Sequence, residues 1–103
     1  MQCVRAQPNY SYTVYARVFI PDKQGAGQGG AGLLFYDSVD CSGNPSYGFT
    51  TTLFSEIGAW HTTDGFGQAP ETTRSMAIRL VAVKPFAQNS FDVWFDDVLV
   101  RRY

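Results

Sequence analysis

The chain has 103 residues, with 8 basic and 9 acidic side chains and a formal net charge of −1. This length limits it to one domain, which we place at residues 1–103. Balanced charge, with no basic cluster larger than Arg101–Arg102, excludes the electrostatic pattern of nucleic-acid-binding proteins. No stretch approaches the roughly 18 apolar residues of a membrane helix, and the first residues do not have the regions of a signal peptide. We therefore expect neither nucleic acid nor membrane as a partner.

The composition predicts an all-β fold. Lys and Glu, which favour solvent-facing helices, occur twice each, whereas aromatic residues make up 16% of the chain. Aromatic residues, valine and threonine suit pleated sheets. Ten glycines and five prolines stand mostly between the apolar stretches, where they favour turns.

The clearest predicted strand runs from Tyr10 to Ile20. One face of it is apolar and is the predicted core: Tyr10, Tyr12, Val14, Ala16, Val18 and Ile20. A loop rich in glycine is predicted over Lys23–Gly32. Its Gly25–Gly30 segment fits the GxGxxG pattern, but a dinucleotide site needs a helix after that pattern, and here a strand follows.

Further strands are predicted at Ala31–Ser38, Phe49–Phe54 and Gly58–Thr62, and Thr63–Arg74 is predicted as a connection because it contains turn residues. Two strands close the chain, Ser75–Lys84 and Ser90–Arg101.

The alternation of the last strand places Asp97 on the same face as the apolar Phe95. We predict a β-bulge at Asp96–Asp97, because one extra residue returns Val98 and Val100 to the apolar face. A partner cation or several backbone donors would satisfy the carboxylate.

The two cysteines, Cys3 and Cys41, allow two interpretations. Their spacing does not fit a structural zinc site. They form either one disulfide or two buried free thiols. A disulfide that closes a loop of nearly forty residues contributes about 4 kcal/mol of stability on the chain-entropy account.

Aromatic and polar side chains share the noncore faces of three predicted strands. A sugar site needs aromatic rings for the C–H faces of the sugar, beside side chains that hydrogen-bond its hydroxyls. The strand phases therefore predict these carbohydrate-binding residues: Tyr15, Arg17, Arg79, Asp92 and Trp94. The alternative is that these residues cover a second layer or a dimer contact.

Three parts of the chain resemble one family. The run Phe91–Val100, with its Asp-Asp-Val, resembles the final strand of the galactose-binding-like jelly rolls, which include many carbohydrate-binding modules of bacterial polysaccharide-degrading enzymes. Trp60, Ala69-Pro70 and Arg74–Leu80 are similar to the preceding connection and strand of that family. Tyr10–Val18, entered through Pro8-Asn9, is similar to an earlier strand.

The resemblance implies an antiparallel β-sandwich of jelly-roll type and a noncatalytic module that binds a polysaccharide or oligosaccharide glycan. It implies an extracellular or periplasmic location for a module that stands alone or forms part of a multidomain enzyme. It also places the Trp60 side chain near the core. Asp97 matches a calcium ligand of many members. The family's N-terminal segment, which carries the other calcium ligands, is not found here. We therefore expect the protein to need no cofactor, and Asp97 is the single candidate metal ligand. We also expect a truncated sandwich.

Two other functions remain open at this point. A truncated sandwich exposes strand edges, so the chain fits a structural or assembly module that self-associates into a homo-oligomer without a small ligand. An enzyme is the less favoured alternative. The sequence has no nucleophile-elbow motif for a serine hydrolase, and its single histidine, His61, leaves a metalloenzyme without a second imidazole ligand. We assign no catalytic residues.

Overall fold

The computed structural model describes residues 2–22, 27–84 and 91–102 of the chain. These residues form seven strands and no helix: β1 (Gln2–Arg5), β2 (Ser11–Phe19), β3 (Gln28–Tyr36), β4 (Tyr47–Thr50), β5 (Trp60–Gln68), β6 (Ser75–Val83) and β7 (Trp94–Arg102). The strands build two sheets that pack against each other. The predicted all-β sandwich is confirmed.

Sheet A has the strand order β1-β6-β3-β4, and sheet B has the order β5-β2-β7. All neighbouring strands are antiparallel. This is the order of an eight-stranded jelly roll from its second strand onward. The eighth place, beside β7, is not filled by any strand of the described residues.

The core lies between the sheets and is built around β2 and β3. On β2 the predicted alternation is confirmed from Tyr12 to Ile20, since every second side chain points toward sheet A and is buried. Tyr10 is an exception to the prediction, because it precedes β2 and is exposed, with the Arg102 guanidinium 4.5 Å above its ring. The buried cluster comprises Tyr12, Val14, Ala16, Val18, Ala31, Leu33, Phe35, Ala69 and Met76.

β5 extends through Gln68, so the predicted connection over Thr63–Arg74 is wrong in its first half. Glycine occupies two inner positions of this strand. A Cβ on Gly67 would lie 2.7 Å from Cδ1 of Phe49, which reaches across from sheet A. Glycine leaves room for this ring, and it also removes the apolar alternation by which a strand is recognised.

β3 begins at Gln28, so the predicted loop over Lys23–Gly32 is shorter than expected. Gly29 and Gly30 are buried inside the strand, and a Cβ on Gly29 would lie 2.7 Å from Cγ1 of Val93. Residues 23–26, and the predicted start of the last strand at Ser90, lie outside the described residues.

Cys3 and Cys41 are joined by a disulfide, with their Cα atoms 6.1 Å apart. Cys3 lies in β1 at the edge of sheet A, and Cys41 lies in the loop between β3 and β4. The Ser75 hydroxyl holds the same loop, because it accepts a hydrogen bond from the Cys41 amide at 3.0 Å and donates one to the Ser38 carbonyl at 2.6 Å. Hydrogen bonds from Ser42 lower the pKa of Asp40 in this loop.

The predicted bulge in the last strand is present. Tyr15 pairs with Leu99 and Arg17 pairs with Asp96, so Ala16 faces two residues of β7, Asp97 and Val98. Asp97 adopts a left-handed backbone with φ 49°, which aspartate tolerates better than most residues. Beyond the bulge, Val100 packs against the core as predicted, whereas Val98 remains partly exposed.

Candidate functional site on the outer face of sheet B

The outer face of sheet B is the surface of that sheet turned away from sheet A. Its central line consists of the β2 residues that alternate with the buried ones. Each of these residues has a neighbour on β5 and a neighbour on β7, because β2 pairs with both strands. The face therefore consists of cross-strand rows, three residues wide.

Three aromatic rings form the row at one end of the face. Phe19 of β2 pairs with Trp60 of β5 on one side and with Trp94 of β7 on the other. The ring centroids are 5.3 Å apart for Phe19–Trp60 and 5.2 Å apart for Phe19–Trp94. Trp60 is 40% exposed and Trp94 is 56% exposed. We call these three residues the aromatic row.

Arg17 joins the aromatic row to the charged part of the face. Its guanidinium carbon lies 5.0 Å from the centroid of the Trp60 ring, a cation–π distance. Its Nη1 atom also donates a hydrogen bond to Oδ2 of Asp97 at 3.4 Å. These contacts hold a hydrogen-bonding group beside exposed rings, which is the arrangement that a polyhydroxylated ligand requires.

Two further rows continue along the face. Tyr15 lies between Asp64 of β5 and Leu99 of β7. In the next row Thr13 lies between Phe66 and Arg101, and Phe66 is 74% exposed. Exposed apolar side chains thus occur at both ends of one continuous surface.

Three of the predicted carbohydrate-binding residues lie together on this face: Tyr15, Arg17 and Trp94. Asp92 is exposed and lies two residues before Trp94, ahead of β7.

The grouping of Arg79 with these residues is wrong. Arg79 lies on β6, in sheet A, and its side chain passes over Gly32 on the far side of the sandwich. There its Nη2 atom is 3.4 Å from the Thr50 hydroxyl. Strand phase predicted correctly that Arg79 points away from the core, but it does not tell which sheet a strand joins.

Three aromatic residues of the face were not predicted as site residues: Phe19, Trp60 and Phe66. The resemblance placed Trp60 near the core, and the structure places it in the aromatic row instead. Phe19 shares its strand phase with Tyr15 and Arg17, so the same alternation identifies it. Phe66 carried no usable signal, because it fell in the predicted connection.

Asp97, the candidate metal ligand, lies beside a positively charged side chain of the same face. Its carboxylate is paired with Arg17, and its side chain is largely exposed. In residues 2–22, 27–84 and 91–102 no group of three or more potential metal-ligating side chains is found. Calcium takes six to eight oxygen ligands, and a guanidinium in hydrogen-bonding contact opposes a cation at the same carboxylate.

No known family model matches the chain, and no curated protein or solved structure is significantly similar to it. Among the described residues, no helix has the length and apolar character needed to cross a lipid bilayer.

Proposed function

We propose that the protein is a noncatalytic carbohydrate-binding module that binds a glycan on the outer face of sheet B. The aromatic row supports this proposal most directly, because it exposes two indole rings that both pack against Phe19 on the same face of the sheet. Indole faces pack well against the C–H faces of pyranose rings, and Arg17 supplies donors for sugar hydroxyls beside them. The resemblance to galactose-binding-like modules points in the same direction.

Two further observations fit this proposal. The His61 imidazole lies on the inner side of β5, stacked on the Phe54 ring at 4.8 Å, and so is separated from the aromatic row by the sheet. The disulfide between Cys3 and Cys41 suits an oxidising compartment. We therefore propose an extracellular or periplasmic location.

Replacing Trp94 by alanine is expected to weaken glycan binding about tenfold, because the sugar loses the more exposed of the two indole rings. The measurement is affinity electrophoresis against soluble neutral polysaccharides, followed by fluorescence titration with the one that retards the protein. The chain has two tryptophans, Trp60 and Trp94, and both lie in the aromatic row. Their emission therefore reports on this site.

The matched control is Tyr10→Ala, which removes an exposed aromatic residue outside the aromatic row. Its affinity is expected to equal that of the wild type. Circular dichroism confirms that both variants are folded. If no glycan binds the wild-type chain, or if Trp94→Ala binds as tightly as Tyr10→Ala, the proposed site is wrong.

A second candidate function, self-association through a strand edge, is favoured by the unequal sheets. Sheet A has four strands and sheet B has three, and the described residues leave the place beside β7 unfilled. An open cleft of about 450 Å³ lies there, lined by Gln2, Ile78, Arg79, Leu80 and Val98. Leu80 is on the inner side of β6 and is nevertheless 50% exposed. A strand of a second copy along β7 would cover it.

If copies associate in this way, Leu80→Lys is expected to convert the assembly to a monomer of 11.4 kDa. Association of this variant would have to bury the unpaired charge of the lysine, which is energetically unfavourable. Ile57→Lys, a change at a similarly exposed apolar residue outside the cleft, leaves the assembly intact. Sedimentation equilibrium measures both. A wild-type mass of 11.4 kDa at the highest soluble concentration would exclude this second function.

A further inference from the structure

The outer face of sheet B extends well beyond the aromatic row, and its far end carries the most exposed aromatic residue among the large apolar side chains described, Phe66. On the basis of the proposed function, we propose that this face binds an extended, uncharged polysaccharide chain lying along the strands. The aromatic row binds one end of the bound segment, and a second subsite formed by Phe66, Thr13 and Arg101 binds the other end.

The register fixes the distance between the two subsites. Trp60 and Phe66 lie on the same face of β5 and are six residues apart. At ~3.3 Å per residue this separation is about 20 Å, the length of about four pyranose units in an extended chain. A disaccharide bound at the aromatic row is too short to reach Phe66.

The second subsite contains an unsatisfied polar group. Thr13 lies on the outer face, between Phe66 and Arg101, and is only 4% exposed. Its hydroxyl has no hydrogen-bond partner among the described residues. Buried hydroxyls are nearly always hydrogen-bonded in native proteins. A sugar hydroxyl that enters between the flanking residues Phe66 and Arg101 would supply the missing partner once the side chains that cover Thr13 make room for it.

The charges between the two subsites favour an uncharged ligand. The rows and the adjoining bulge carry two arginines and three aspartates: Arg17, Arg101, Asp64, Asp96 and Asp97. Positive and negative side chains are mixed along the face and nearly cancel, so neither a polyanion nor a polycation gains strong net attraction from it. Carboxylates and guanidinium groups both hydrogen-bond neutral hydroxyls. The face is therefore complementary to a neutral chain of sugars.

The test compares ligand lengths with cello-, xylo- and manno-oligosaccharides of two to six units, titrated by tryptophan fluorescence. For the wild type, affinity is expected to rise with length up to about four or five units and then to level off. Phe66→Ala is expected to weaken hexaose binding about fivefold and to change disaccharide binding less than twofold. Trp94→Ala weakens the binding of both.

Thr13→Val keeps the size of the side chain and removes its hydroxyl. It is expected to weaken the hexaose selectively, as Phe66→Ala does. If the hexaose binds no more tightly than the disaccharide, or if Phe66→Ala leaves hexaose binding unchanged while Trp94→Ala weakens it, the second subsite is refuted and the proposed function stands. If none of the three hexaoses binds and no polysaccharide retards the chain in affinity electrophoresis, the proposed function fails, and the second subsite fails with it.

Discussion

Replacing Cys3 and Cys41 together by alanine is expected to lower the free energy of unfolding by about 4 kcal/mol. The bridge joins residues 38 positions apart in the sequence. Its removal gives the unfolded chain back the conformational entropy that loop closure had taken away, which corresponds to about 4 kcal/mol. Small domains have a total stability of about 5–15 kcal/mol, so the variant is expected to lose between about a quarter and four fifths of its stability. Urea unfolding followed by circular dichroism measures the difference.

Reduction of the wild-type chain serves as the control, because it breaks the same bond without changing a side chain volume. Reduced wild type and the double alanine variant are expected to unfold at the same urea concentration. A loss below about 1 kcal/mol in either would contradict the entropic account. The hydrogen bonds of Ser75 to Cys41 and Ser38 would then be sufficient to hold the loop.

The second large effect is expected in the core, where Phe35→Ala should cost about 3–5 kcal/mol of unfolding free energy. Phe35 is fully buried and is the largest of the fully buried side chains. Its ring contacts the rings of Tyr12, Tyr47 and Phe49, with centroids 5.9 to 6.2 Å away. Removing it leaves a cavity between the two sheets that these neighbours cannot fill.

Phe66→Ala provides the matched control for this prediction. The chemical change is the same, but Phe66 is mostly exposed, so its removal is expected to change the free energy of unfolding by less than about 0.5 kcal/mol. Thermal and urea unfolding of both variants give the comparison. Equal losses would mean that Phe66 is packed rather than available for a ligand, and would contradict its exposed position.

The part of the fold that sequence alone predicts well is the part with a regular apolar period. Burial alternates in β2 from Val14 to Phe19, and the aspartates of β7 predicted a bulge that the structure contains. β5 was not recognised over its full length, because Gly65 and Gly67 occupy inner positions where Phe49 needs space. The space requirement comes from sheet A, which no local pattern in β5 reveals.

The candidate site was predicted in the same uneven way. Tyr15, Arg17 and Trp94 were assigned to a noncore face by alternation, and they lie on one surface. Arg79 was grouped with them because alternation gives only the side of a strand, whereas membership of a sheet depends on long-range pairing. Phe66 was not predicted, because it lies in the part of β5 that was not recognised as a strand.

β2 contributes to the core with one set of residues and to the candidate site with the residues between them. Arg17 and Phe19 therefore alternate with Ala16 and Val18, which are almost completely buried. The site residues on this strand cannot become disordered unless the centre of the sandwich opens. On the proposed function, a glycan would meet a surface whose backbone entropy was already lost when the chain folded, so binding would order little more than side chains and the sugar itself.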